Sequence, residues 1–256
     1  MAIALEAKGL GYGYPGRAVG RGLDLQLAAG EVLCVLGPNG GGKTTLFRTL
    51  LGLLAAQEGE VRLDGSPLDA LPRAHVARRL GYVPQGHVAP FAFTVREAVL
   101  MGRTAHIGLF AAPGAADREA ADTAIRTLAI EPLAERFVTE LSGGERQLAM
   151  IARALAQGAR VLVLDGPTAS LDFGNQVRVL REIRRLAAEG YAAVFSSHDP
   201  SQAFLAAGRV LLLAQGGALR QGTPEEVITR ENLRAVYGVE VRVATVDGVR
   251  VCVPAL

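Results

Sequence analysis

Hydrophobic and polar positions follow two different periods along this chain, and the change of period divides it. Residues 23–27 alternate apolar with polar side chains, as a strand with one covered face does. Ala28-Ala29-Gly30 then turns the chain into 31–36, an apolar run that reads as a buried strand. From 43 to 53 the period becomes helical, because Leu46, Phe47, Leu50, Leu51 and Leu54 share one face. Residues 60–63 predict a strand stopping at the Asp64-Gly65 turn, and 80–83 a strand stopping at Pro84.

From about 87 to 157 helices take over. Thr94 is placed to cap a helix over 95–101, residues 117–128 are Ala-rich and amphipathic, and Ser142 is placed to cap 143–156. Residues 108–117, rich in Gly, Ala and Pro, read as a loop between helices. The last third returns to strands at 161–164, 192–196 and 210–213, alternating with helices at 176–188 and 201–207. Such alternation predicts an α/β fold with a mostly parallel sheet covered on both faces. Residues 229–256 are expected to form a short helix and a strand pair turned at Asp247-Gly248.

A chain of 256 residues, 50% hydrophobic and 20% charged, can bury a full core and is not of the disordered class. Its 27 Lys and Arg against 25 Asp and Glu leave a net charge of +2, too little to point to nucleic acid. Arg78-Arg79 and Arg184-Arg185 read as solvated helix faces. The apolar runs are too short to span a bilayer, and residues 1–10 carry no basic segment followed by a long apolar one, so a cytosolic chain is expected. Cys34, inside an apolar strand, reads as a buried thiol. Neither it nor Cys252 has metal-ligand spacing, and a disulfide is not expected in that compartment.

The candidate chemistry starts at Gly37-Pro38-Asn39-Gly40-Gly41-Gly42-Lys43-Thr44, which fits G-x-x-x-x-G-K-[ST] between a strand and a helix. Glycines let successive N–H groups curl around phosphates, and the helix N-terminus adds its dipole. Lys43 would neutralise the terminal phosphates and the Thr44 hydroxyl would ligate magnesium. A plain Gly-rich turn is the bland alternative, and the order strand, loop, helix stands against it.

Downstream stand Leu141-Ser142-Gly143-Gly144-Glu145 and then an apolar strand ending in Asp165. This order resembles the nucleotide-binding subunit of ABC transporters over nearly the whole chain. The resemblance implies a P-loop NTPase (RecA-like) core at 1–86 and 157–228 with an N-terminal antiparallel β-subdomain, an inserted α-helical subdomain at 87–156, and a C-terminal extension at 229–256. It implies ATP and Mg2+ as cofactors, with residues 37–44 and Thr45 around the phosphates. Tyr14 would stack on the adenine, with Tyr12 as a competitor. Thr44, Gln85 and Asp165 would serve the metal, and Gln85, after Tyr82-Val83-Pro84, would also sense the attacking water. His198 would contact the γ-phosphate. Ser142, Gly143, Gly144 and Glu145, with Asp172 of the D-loop Ser170-Leu171-Asp172, would act on ATP held by a partner copy, which makes the chain a homodimer.

Two positions depart from the family pattern. Gly41 stands where relatives often carry Ser, which removes a side-chain donor and spares the backbone cradle. Gly166 stands in Leu164-Asp165-Gly166-Pro167-Thr168 where relatives read LDEPT. The absent Glu polarises the attacking water, and loss of a positioned base costs a factor of roughly 10²–10⁴. ATP binding is therefore expected to persist and turnover to be slow.

The run from Pro90 to Arg103 (PFAFTVREAVLMGR), followed by His106-Ile107, resembles importer ATPases for iron–siderophore, haem, cobalamin and molybdate. That implies permease subunits docking near 85–107, a substrate-binding protein as indirect partner, and a peripheral place on the cytoplasmic face of the membrane. An alternative from another class is a regulatory or assembly ABC protein with little ATPase activity, which Gly166 favours and the 90–107 run opposes. A P-loop kinase or GTPase has no use for LSGGE, the D-loop and the switch histidine together.

Overall fold

The computed structural model describes residues 3–86, 92–108 and 111–255. In chain order the strands are β1 (Ile3–Tyr14), β2 (Arg17–Ala28), β3 (Val32–Leu36), β4 (Glu58–Leu63), β5 (Ser66–Pro67), β6 (Leu80–Val83), β7 (Val161–Leu164), β8 (Ala192–Ser197), β9 (Arg209–Ala214), β10 (Gly217–Gly222), β11 (Val241–Val246) and β12 (Val249–Pro254). The helices are α1 (Lys43–Leu50), α2 (Arg73–Arg79), α3 (Val95–Leu100), α4 (Ala115–Thr127), α5 (Gly143–Ala156), α6 (Phe173–Ala188), α7 (Pro200–Ala206), α8 (Pro224–Val227) and α9 (Arg230–Tyr237).

The strands form a six-stranded sheet in the order β10-β9-β3-β8-β7-β6, an antiparallel sheet β2-β1-β4-β5, and the hairpin β11-β12. In the large sheet every pair from β9 to β6 is parallel and β10 alone runs antiparallel. The fold is the expected α/β arrangement. The C-terminal ends of β3, β6, β7 and β8 lead into the phosphate loop, Gln85, Asp165 and His198, so one edge of the sheet carries all four, where parallel sheets place ligands.

The two-residue period of the central strands divides the core into two layers. Val32, Cys34 and Leu36 of β3 join one apolar cluster with Leu162 and Leu164 of β7 and Phe195 of β8, together with α3 to α7. Leu33 and Val35 join the other, with Val161, Val163 and Val194, facing α1 and the antiparallel sheet. Strands buried on both faces read as unbroken apolar runs, which is why 31–36 and 161–164 stood out. The first cluster is continuous from the sheet into α3, α4 and α5.

Several boundaries differ from the sequence reading. Helix α1 stops at Leu50, not at 53: the amides of Leu53 and Leu54 both bond the Arg48 carbonyl and wind the last turn closed. Leu53 is therefore 61% exposed. Helix α3 gives way at Met101 to a 3-10 turn, Met101–His106. Helix α4 starts at Ala115, inside the expected loop, because the Asp117 carboxylate accepts from the Gly114 N–H at 3.0 Å. Helix α6 starts at Phe173 because Asp172 caps it, and α7 starts at Pro200 because Asp199 does. β8 reaches Ser197, one residue further than expected. The C-terminal segment forms α9 and a hairpin that turns at Asp247 and Gly248, both left-handed (φ 49 and 79), as a two-residue hairpin loop requires. Of the arginine pairs, Arg78 and Arg184 are exposed, whereas Arg79 and Arg185 are half-buried and pair with Asp64 and Glu182.

Cys34 is fully buried, which pushes its thiol far up, and Cys252, half-buried, is pushed up to about 11. Maleimide labelling of the folded protein at neutral pH is expected to modify Cys252 slowly and Cys34 only after denaturant. Prompt reaction of both thiols would contradict the burial.

Candidate functional site

The loop between β3 and α1 is braced by its own lysine. The Lys43 ammonium donates to the carbonyls of Gly37 at 2.7 Å and Pro38 at 2.8 Å. Burial holds that ammonium below the usual lysine range, with the nearby Asp165 charge opposing the shift. Beneath the loop, Asp165 is 3% exposed and both carboxylate oxygens are held. The Thr44 hydroxyl donates to Oδ2 at 2.6 Å and the Ser196 hydroxyl to Oδ1 at 2.7 Å, while Ser196 Oγ accepts from the Gly166 N–H at 2.7 Å. Thr44 and Asp165 lie 121 residues apart in sequence and meet because β3 and β7 flank β8.

A cavity of about 420 Å³ opens over these groups. Tyr14, Arg17 and Val19 of the first hairpin line one side, Asn39, Gly40 and Gly42 to Thr45 the floor, and Gln85 with Asp165 the far end. Gly37, Pro38 and Gly41 do not line it, and two of them supply the carbonyls that hold Lys43. Of the two tyrosines, Tyr14 faces the cavity at 40% exposure. Tyr12 is fully buried, its hydroxyl pushed up to about 12, so it is a core residue and no rival.

Gly166 has φ 56, a left-handed conformation that side chains resist. A Cβ there would stand 3.2 Å from Cδ of Gln85. The loop after β7 and the loop after β6 are thus in close approach at the position where the family pattern puts its glutamate.

The LSGGE segment lies outside this cavity. Ser142 caps α5: its Oγ accepts from the Glu145 N–H at 3.3 Å, and Glu145 Oε2 accepts from the Ser142 N–H at 2.9 Å and hydroxyl at 2.8 Å. Those donors hold the Glu145 carboxyl below the usual range. Gly144 is packed against α6, where a Cβ would stand 2.2 Å from Asn175 Oδ1. Asn175 also donates from its main chain to Asp172 at 2.9 Å and from its amide group at 2.7 Å, which holds that carboxyl low as well. Gly143 and Asp172 are exposed. His198 is exposed at the end of β8 and lines a different cavity of about 430 Å³ with Pro200, Tyr237 and Cys252, where the Tyr237 hydroxyl donates to its carbonyl at 3.3 Å.

Within one chain, then, the phosphate loop, Thr44, Thr45, Gln85, Asp165 and Tyr14 come together, while Ser142 to Glu145, Asp172 and His198 do not line the same cavity. Sequence reasoning missed Arg17 and Ser196. Arg17 is brought in by the turn after Tyr14. Ser196 carried one signal, a hydroxyl where the apolar run of β8 gives way to Ser196-Ser197 just before the histidine. In the run 90–107, Pro90 and Phe91 lie outside the described residues. Arg103 and His106 turn inward, bonding the Ala156 and Gln157 carbonyls at the C-terminus of α5 at 2.8 Å each.

A family model described as ABC transporter matches residues 21–169. The chain belongs to the ABC transporter ATP-binding family. It is 40% identical over 254 residues to the hemin import ATP-binding protein of Myxococcus xanthus, covering 96% of this chain and 94% of that one. It is 37% identical over 235 residues to the ferric enterobactin transport ATP-binding protein of Escherichia coli, covering 91% and 87%. Among solved structures, an inward-facing putative metal-chelate type ABC transporter matches with a TM-score of 0.87 and 35% identity, covering 99% of this chain and 98% of that one. As an ABC ATPase the chain binds ATP. Among the described residues no helix is long and apolar enough to cross a membrane.

Proposed function

We propose that this ABC ATPase is the motor subunit of an importer for metal chelates or a molybdate-like oxyanion, working as a homodimer on the cytoplasmic face of the membrane. The observation that carries the reading is the separation of the two half-sites. Each chain holds a phosphate cavity at Lys43 and Thr44 and a capped helix N-terminus at Ser142, and the two do not meet in one chain. Two chains facing each other bring each α5 N-terminus to the other's cavity, where its amides and dipole favour an anion. The relatives named for hemin and ferric enterobactin support the importer branch.

On ATP binding, Lys43 would leave the Gly37 and Pro38 carbonyls for the terminal phosphates, and Tyr14 would cover the adenine. The oxygen set of the Thr44 hydroxyl, the Asp165 carboxylate and the Gln85 amide suits a hard cation, so these residues would hold Mg2+. Magnesium, when bound, supplies charge against the phosphates. His198 would contact the γ-phosphate of the ATP bound in its own chain, and Gln85 would orient water without a neighbouring carboxylate. Closure is then supported by an intact binding apparatus and hydrolysis is slow. The permease would dock near residues 85–107, where Met101 is 42% exposed.

Sedimentation of the purified chain with and without Mg-ATP tests the dimer, and a monomer at saturating nucleotide would refute it. Ser142→Gly sharpens the test. Glycine caps helices nearly as well as serine, so α5 loses only a few tenths of a kcal/mol. The variant should keep its melting temperature and its monomer affinity for ATP while losing ATP-dependent dimers. Co-purification with a membrane permease separates the importer from a regulatory or assembly protein.

A further inference from the structure

Behind the phosphate-facing edge runs a chain of amide and hydroxyl groups that the roles above leave unused. The Thr168 hydroxyl donates to Gln202 Oε1 at 2.7 Å, and the Ser197 hydroxyl donates to the same oxygen at 2.9 Å. Gln202 Nε2 donates to Gln176 Oε1 at 3.3 Å, and Gln176 Nε2 donates to the Leu171 carbonyl at 3.0 Å. Thr168, Ser197 and Gln202 are 4%, 5% and 6% exposed. At one end Ser197 precedes His198 and accepts from the Asp199 N–H at 2.9 Å. At the other end Leu171 precedes Asp172.

Chemistry gives this chain a single direction. A main-chain carbonyl only accepts, so Gln176 must turn its NH2 to Leu171 and its oxygen to Gln202. Gln202 must then offer its own NH2 and turn its oxygen to the two hydroxyls, which both donate. Reversing any amide would set oxygen against oxygen in a site with little water, where an unmatched polar group costs more than a bond is worth. The strand end that carries Ser197 and the Leu171 carbonyl are therefore linked through two side-chain amides of fixed orientation.

We propose that Gln202 and Gln176 are positioning residues that tie the loop carrying His198 to the loop carrying Asp172, so that nucleotide facing His198 sets how Asp172 is presented to the neighbouring copy. This rests on the reading of the chain as an ATP-closed dimer. It adds to that reading a defined path within each subunit, from its own nucleotide to the surface its partner meets.

Gln176→Glu is the test. The side chain keeps its shape, but once ionised both terminal oxygens only accept, so one faces the Leu171 carbonyl and the last link breaks while the Thr168 and Ser197 bonds to Gln202 remain. Gln176→Met, which has no polar hydrogen in any protonation state, breaks the same link and serves if the first variant folds poorly. Hydrogen exchange is followed across residues 168–175 in the full chain, at concentrations that keep it monomeric, with and without Mg-ATP. Wild type should show about tenfold slower exchange with nucleotide, within the range of ordinary site-to-site coupling. The variants should bind ATP within about twofold of wild type, since distant sites act independently, and show no nucleotide effect on that segment. A merely structural role would speed exchange equally with and without ATP and leave the response in place, which overturns the proposal. So does a wild-type segment that ignores bound ATP. If instead the response is present and lost as expected but no ATP-dependent dimer forms at high concentration, the relay stands and the dimer reading falls.

Discussion

Gly166→Glu is expected to raise ATP turnover at saturating Mg-ATP by about 10²–10⁴, the usual worth of a positioned base. The side chains that the family pattern assigns to the terminal phosphates and magnesium are in place: Lys43, Thr44 and Asp165 line one cavity with Gln85 at its end. The substitution has a structural cost. Gly166 is left-handed at φ 56, where a side chain costs about 1–2 kcal/mol. Its Cβ would also meet Gln85 at 3.2 Å, a flexible side chain that can yield. The melting temperature should therefore fall by about 2–4 °C for each kcal/mol lost in a chain of this size. Gly166→Gln is the control, with the same strain and no base. Phosphate release that is equally slow in both variants would show that a missing base is not what limits this ATPase, and would favour the regulatory reading.

Lys43→Ala is expected to weaken ATP binding by about 10²-fold or more. Two charge-assisted contacts to phosphate go with the ammonium, each worth roughly 1.5–3 kcal/mol. The same change should destabilise the nucleotide-free protein, because the Gly37 and Pro38 carbonyls lose the donor they share. Lys43→Arg should recover little, since a planar fork does not replace a compact ammonium in a cradle this tight. Titration with a fluorescent ATP analogue checks affinity, and an unchanged affinity would remove the phosphate-loop assignment.

What could be read in the chain and what could not divides along the range of the interactions. The buried strands at 31–36 and 161–164, the caps at Thr94 and Ser142 and the phosphate loop depend on neighbours a few residues away, and each stands where its local pattern put it. β1 was missed because a distant partner helps to decide it: it bulges near Gly9 and is held by β4, some fifty residues on, and β10 was missed because, at the sheet edge, its residues 218–221 are exposed and show no apolar alternation. Helix α1 ran too long in the sequence reading because its apolar face continues after the turn has closed at Leu51. Tyr12 and Tyr14 lie two residues apart in one strand, where the two-residue period does not distinguish them, so only the packing of the first hairpin, buried at Tyr12 and open at Tyr14, tells cavity from core. Ser196, Gln202 and Gln176 are ordinary polar residues until β8, α6 and α7 pack together.

Helix α5 joins two of these places. Its N-terminus is the Ser142 cap, and its C-terminal carbonyls receive Arg103 and His106 from the 3-10 turn that holds Met101. Its 14 residues make a rod about 21 Å long at 1.5 Å per residue. Because the rod is embedded in a core it shares with α3, α4 and the sheet, neither end can shift alone. A displacement of an ångström or two at the Ser142 end would therefore emerge at the surface around Met101 with little slack, which makes α5 a pushrod rather than a hinge.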